Sequence, residues 1–366
     1  MNHQVCACGE QGGSGSRLFA NLAMAGLVTT ILTAAAFLVA VEPPGIVSLV
    51  VVGDIMLSRN VAARMQQADD PALPFRNVSA LLDGADIGFG NLESPLAPWR
   101  EDAIAGKSNA GEAGWDGVIG GKSLIFAAPN KTVQALRRYN FRILAMANNH
   151  AMDQNEAGLS HTVAQLRANQ VQITGAGRSL DEAWQARIVE LKGRKIGFLA
   201  ASYASLNYGS DEANQYVARI QDLDRLRSSL RALKSKRAYI VVSMHAGDEY
   251  TREPGAAQIF FAHAAIDSGA DLVVGSHPHW LQPFERYKRG LIFYSLGNFI
   301  FDLDSSPDTR EGAAVKLFIG ENGVVQAEVI PIEIENSCCP RAARPKEIPG
   351  ALRRMRLTST HIPVPR

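Results

Sequence analysis

The chain has 366 residues, 46% of them apolar and 20% charged, with 32 glycines and 17 prolines, the composition of an ordinary globular protein with room for one large core or two modest ones. Global disorder, a collagen-like repeat and a polytopic membrane protein are thereby excluded. Lysine and arginine number 37 against 36 acids, a net charge of +1 that sets up no field for nucleic acid, and four cysteines are too few for a disulfide scaffold.

Residues 1–17 read as a short cytoplasmic N-terminus, and 18–41 form an uncharged apolar run, LFANLAMAGLVTTILTAAAFLVAV. At about 1.5 Å per residue that run can cross a hydrocarbon core about 30 Å thick. Arg17 before it and Glu42 after it orient a single-pass anchor in the cell membrane, with the remainder outside the cytoplasm. A cleaved signal peptide and a buried core helix are the competing readings. The first expects an apolar core of about 7–15 residues and a small-x-small site, and no clean site of that kind precedes Glu42. Pro43-Pro44-Gly45 then marks a linker.

From 46 to 335 the chain reads as one domain. Continuous β-branched or apolar runs recur at 46–53, 85–92, 141–148, 195–202, 239–246, 271–278 and 291–298, the pattern of strands buried on both faces. Helix-like spacing lies between several of them, at 156–169, 216–235 and 255–268. Strands alternating with helices predict an α/β fold. Residues 99–123, rich in Gly, Ala and Asp, read as a surface insertion. Residues 313–320 and 324–334, joined through Glu-Asn-Gly, read as a hairpin, and 336–366, with Cys338 and Cys339, as a weakly packed tail.

Polar residues gather where the apolar runs stop: Asp54, Asn91, Glu93, Asn148-Asn149-His150, His245, Ser276-His277-Pro278-His279 and Asn298. Carboxyl ends of strands in open α/β sheets line the crevice where ligands bind. Singly, Asp54 is also a natural helix cap, Glu93 a natural loop acid and His245 a natural structural histidine. Jointly they point to a metal or phosphate-type site. His277 and His279 strengthen it, because two imidazoles two positions apart on an extended segment point the same way. Imidazole, carboxylate and amide oxygen without thiolate suit divalent transition metals, namely Mn, Fe, Zn or a mixed pair. Two such ions about 3.5–4 Å apart would clamp an ester oxyanion and activate water near neutral pH, which is hydrolytic chemistry.

The series VVGDIMLSR (51–59), FGNLESPLA (89–97), MANNHAMDQ (146–154), ITGAGRSLDEA (173–183), SMHAGDEY (243–250) and VVGSHPHWLQPFERYKRGLIFYSLGNFIFD (273–302) resembles the CapA family. That family is associated with poly-γ-glutamate capsule biosynthesis and a calcineurin-like metallophosphoesterase fold. The resemblance implies a four-layer αββα sandwich holding two metal ions between its sheets. By position it implies Asp54, Glu93, Asn149, His245, His277 and His279 as ligands, with Glu93 bridging, His277 on the second metal and His279 on the first. It gives His150 a role on the substrate or leaving group, as general acid, and sets Asn91, Glu249, Tyr250 and Asn298 near substrate. The general phosphoesterase pattern begins Asp-x-His, whereas this chain has Asp54-Ile55-Met56, and methionine is a poor ligand for a hard ion.

Two functions follow. One is a metal-dependent hydrolase acting on a phosphoester or an amide in an anionic polymer. The other is a non-catalytic subunit that assembles in the membrane with a capsule or polyglutamate synthase or exporter and holds the anionic polymer in its crevice. Retention of Asn149-His150 favours the first, and Met56 the second.

Overall fold

The computed structural model describes residues 45–96, 125–203 and 215–364. The expected anchor at 18–41 and the insertion at 99–123 lie outside these residues. Among the described residues no helix is long and apolar enough to cross a membrane.

The fold is mixed α/β and built on two sheets. In the first, β1 (Val47–Ile55), β2 (Ile87–Leu92), β3 (Ile143–Ala145) and β4 (Gln172–Thr174) lie side by side in parallel. The second contains β5 (Arg187–Leu191), β6 (Arg194–Ser202), β7 (Tyr239–His245), β8 (Leu272–Ser276), β9 (Phe284–Tyr287) and β10 (Gly290–Phe293), ordered β5-β6-β7-β8-β10-β9. Its interior pairs are parallel and its two edge pairs antiparallel. The chain then returns to the first sheet: β11 (Asn298–Ile300) pairs with β1, while β12 (Glu311–Gly320), β13 (Gly323–Glu335), β14 (Cys339–Ala342) and β15 (His361–Ile362) extend it antiparallel. The helices are α1 (Arg59–Gln67), α2 (Ser79–Asp83), α3 (Thr132–Arg138), α4 (Asn155–Ala168), α5 (Leu180–Ala183), α6 (Leu223–Ser235), α7 (Ala256–Asp267) and α8 (Ile348–Arg354).

The apolar runs become strands because both their faces meet other side chains. All nine residues of β1 and all seven of β7 are buried. In the second sheet Ile196, Phe198, Val241 and Val274 join a core that includes Leu49, Val51 and Phe89 of the first sheet. Phe89 and Phe198 meet across that core with ring centroids 4.9 Å apart. The alternate residues Leu199, Ile240, Val242 and Val273 face Leu226, Leu230 and Leu233 of α6 and Phe261 and Ala265 of α7. The three leucines recur at spacings of four and three, one stripe of a helix. Each such side chain contributes about 1.5–3 kcal/mol on burial.

The hairpin expected over 313–334 forms as β12 and β13, with Gly320 opposite Gly323. Three expectations are corrected. The run 291–298 is not one strand: β10 lies in the second sheet and β11 in the first, so this segment carries the chain between them. It passes closely over Gly275 and Gly53, where an added Cβ would stand 1.8 Å from the Tyr294 carbonyl oxygen and 1.9 Å from that of Gly297. The helix expected from 216 begins only at Leu223, because Val217 and Arg219 bridge to Ala176 and Ser202, with Ala218 N donating to Gly175 O and Ile220 N to Ser202 O. The tail is not weakly packed, since β14 and β15 both pair with β13 and Cys338, Met355 and Ile362 are buried.

Candidate metal centre

Five strands end at one place. Asp54 is the penultimate residue of β1, Glu93 follows β2, Asn149 and His150 follow β3, His245 ends β7, and His277 and His279 follow β8. One atom each of Asp54, Glu93 and His279 falls within 4.8 Å of the others, and all three residues are buried. Burial pushes the Asp54 carboxyl above its ordinary range, against the opposing pull of His279 and of hydrogen bonds from Asn91 and the His277 backbone. Two adjacent carboxylates out of water repel, and a cation between them removes that penalty.

His245 and His277 stand beside this triad, their rings 4.7 Å apart. Burial first, then the neighbouring His279 and His150, pushes His277 down to about 3 and keeps it a neutral imidazole. Its Nδ1 is buried and has no hydrogen-bond partner. A buried ring nitrogen without a protein partner, next to carboxylates and a second imidazole, is the donor set that a divalent transition metal fits. His277 and His279 were expected on an extended segment. They have φ of +96° and +58° instead, a backbone rarely adopted by residues other than glycine, and Pro278 O accepts from Tyr250 N at 2.9 Å.

A relay of amides fixes the imidazoles. Asn148 Nδ2 donates to Leu92 O at 2.8 Å and to Asn91 Oδ1 at 2.9 Å. Asn91 Nδ2 therefore faces Asp54 Oδ1 at 2.8 Å and His245 Nδ1 at 3.2 Å. His245 Nδ1 also lies 3.0 Å from Ser276 Oγ, and its Nε2 faces Asn149 Oδ1 at 2.8 Å, so these two ligand candidates stand with their donor atoms side by side. Likewise Asn298 Nδ2 donates to Thr309 O at 2.9 Å, so its Oδ1 accepts from His279 Nδ1 at 2.9 Å. His279 Nε2 is left with the lone pair. Asn91 and Asn298, expected beside substrate, are buried with their amides engaged inside the protein.

Residues 48–303 match the family described as bacterial capsule synthesis protein PGA_cap. The chain belongs to this family. It is 32% identical over 288 residues to the PGA biosynthesis protein CapA of Bacillus subtilis strain 168, covering 78% of this chain and 71% of that protein. It is 29% identical over 323 residues to the capsule biosynthesis protein CapA of Bacillus anthracis, covering 85% and 71%. Among solved structures it is similar to the Thermus thermophilus sulfate thiohydrolase SoxB, with 13% identity and a TM-score of 0.45, covering 85% of this chain and 60% of that one, less than two thirds of its length.

In this member of the family His150 is buried, stacked on Phe126 with ring centroids 3.8 Å apart, and its Nε2 lies 3.9 Å from Glu93 Oε1. Its Nδ1 is 2.7 Å from Asp153 Oδ2, a partner that the sequence reading missed. The signal was present in His150-Ala-Met-Asp153, but a three-residue spacing in a loop does not say that two side chains meet. Asp153 Oδ2 also accepts from Phe126 N at 2.6 Å. Glu249 and Tyr250 are exposed, and the Tyr250 ring is 6.0 Å from that of His279, so these two lie at the rim. Met56 is fully buried, and its Sδ accepts from Ser58 N at 3.1 Å. It supplies no ligand.

Proposed function

We propose that this chain is a metal-dependent hydrolase of metallophosphoesterase type, its two sheets and their helices forming a four-layer αββα sandwich. The observation that carries the reading is the buried meeting of Asp54, Glu93 and His279 beside a His277 whose Nδ1 has no protein partner. Asp54, Glu93 and His279 would hold one ion, and Asn149, His245 and His277 a second, with Glu93 shared. Divalent ions there, Mn, Fe or Zn by donor type, would polarise a phosphoester or amide oxygen and ease deprotonation of attacking water. Asp153 holds the Nδ1–H of His150, so Nε2 is the atom that exchanges a proton with the leaving group, and Phe126 keeps the ring in plane. The substrate class is an anionic polymer of the capsule or polyglutamate type. The chain is anchored in the cell membrane by 18–41, works outside the cytoplasm, and assembles with synthase or exporter subunits.

Elemental analysis of the purified full chain beside His279→Ala and His245→Ala tests the centre. Close to two transition-metal ions per chain, lost stepwise, is expected. Metal-dependent hydrolysis abolished in His150→Ala with the ions retained would support the acid, and unchanged turnover would remove His150 from the mechanism. Met56 favours the second reading, a binding subunit without turnover: one ion lost only in His245→Ala would select it. For topology, a reporter fused after residue 45 should be active only outside the cytoplasm, and cytoplasmic activity would reverse the orientation.

A further inference from the structure

Arg59 ends the VVGDIMLSR run and has no part in the ligand set, yet it lies against the rings that wall the centre. Its guanidinium carbon is 5.0 Å from the centroid of Phe126 and 5.9 Å from that of Phe301. Phe126 stacks on His150 at 3.8 Å, and Phe301 meets the edge of His279 at 4.8 Å. One aromatic ring therefore separates Arg59 from the histidine at each end of the centre. Its Nε donates to Asp302 at 3.2 Å and its Nη2 to the other oxygen of the same carboxylate, which also accepts from Asn60 N at 3.1 Å. The fork is thus locked along one edge, while Nη1 makes no hydrogen bond within the described residues and the side chain stays 20% exposed. Arg59 is held there with φ +50°, in the left-handed region. The Tyr250 phenol is raised mainly by burial and by Glu249, with Arg59 pulling the other way and Glu93 adding to the rise, so the rim tyrosine, the guanidinium and the inner carboxylate share one electrostatic neighbourhood.

A guanidinium pinned on one edge, backed by aromatic faces and open on the other edge is arranged to receive an oxyanion bidentately. We infer that Arg59 binds a carboxylate or phosphate oxygen of the substrate just outside the ligand cluster and sets the preference of the site for an anionic chain. This rests on the reading of the site as a metal centre that handles an anionic substrate, and it names the residue that recognises the charge.

The test is calorimetric titration of two probes, inorganic phosphate and a γ-linked glutamate oligomer, into the full chain with its metal content measured in the same sample. Arg59→Gln should weaken at least one probe by about tenfold or more at constant metal content. Arg59→Lys should recover less than half of the loss in free energy, since an ammonium cannot fork. The weakened probe identifies the oxyanion as phosphate or carboxylate. Because Arg59→Gln leaves Asp302 buried without its cation, Arg59→Gln with Asp302→Asn is titrated beside it and should show the same loss. Wild-type metal content with both probes bound within about twofold of wild type would overturn the role of Arg59. Absence of metal from the wild-type chain would instead overturn the centre itself.

Discussion

Asn298 is held in one amide orientation: Thr309 O fixes its Nδ2 and His279 its Oδ1. Asn298→Ala should free the His279 ring to turn and lower metal affinity by about 10–100-fold without unfolding the chain, read by competition with a chelator. Undiminished affinity would make the amide a packing feature only. Asp271 offers a second test, away from the centre. It accepts from Ile240 N at 2.8 Å, but burial pushes its carboxyl from 3.8 up to about 6. Folded protein then binds the proton more tightly than unfolded protein, so this group's contribution to stability is greatest below pH 4 and is lost as pH rises to about 6. Asp271→Asn, whose amide oxygen can still accept from Ile240, should flatten the stability profile between about pH 4 and 6, measured by urea denaturation across pH. A profile that keeps its slope would assign the titration to another group. The ligand residues were legible singly, because carboxylate, amide and imidazole each stood where an apolar run ended. The tautomers were not, because they depend on amides brought from residues far apart in sequence.

The crossing between β10 and β11 depends on Gly53 and Gly275 having no Cβ. Gly53→Ala would drive a methyl group to 1.9 Å from the Gly297 carbonyl oxygen, and both partners there are backbone. A loss of about 3 kcal/mol or more, or failure to fold, is expected in guanidinium titration. Gly84→Ala, with φ in the ordinary range and its nearest atom 3.5 Å away, should stay within about 1 kcal/mol. Equal effects would show that the crossing has room to spare. Buried parallel strands announce themselves as unbroken apolar runs, and so β1, β2, β7 and β8 were found within two residues of their ends. The start of α6 was not found, since helix-compatible residues at 216–222 are claimed by hydrogen bonds to Gly175 and Ser202.

Across the whole molecule, the C-terminal segment closes the edge of the first sheet. Ending the chain at residue 337 would strip β14, α8 and β15 from β13 and uncover the apolar side that Met355, Leu352 and Ile362 help to bury. A destabilisation on the order of 5 kcal/mol, with increased binding of a hydrophobic dye, is expected. An unchanged denaturation midpoint would show that the sheet holds without it. The sequence by itself determined the α/β class, the order of the main strands, the family and the residue types of the centre, because each is written in local periodicity or in side chains at fixed offsets from a strand end. Tertiary structure alone decided which sheet each strand joins, which histidine nitrogen carries a proton, that Asp153 backs His150, and that Arg59 lies one ring away from the centre. Those outcomes depend on packing and hydrogen bonds between segments far apart in the chain, 243 residues in the case of the Arg59–Asp302 pair, and no local pattern encodes them.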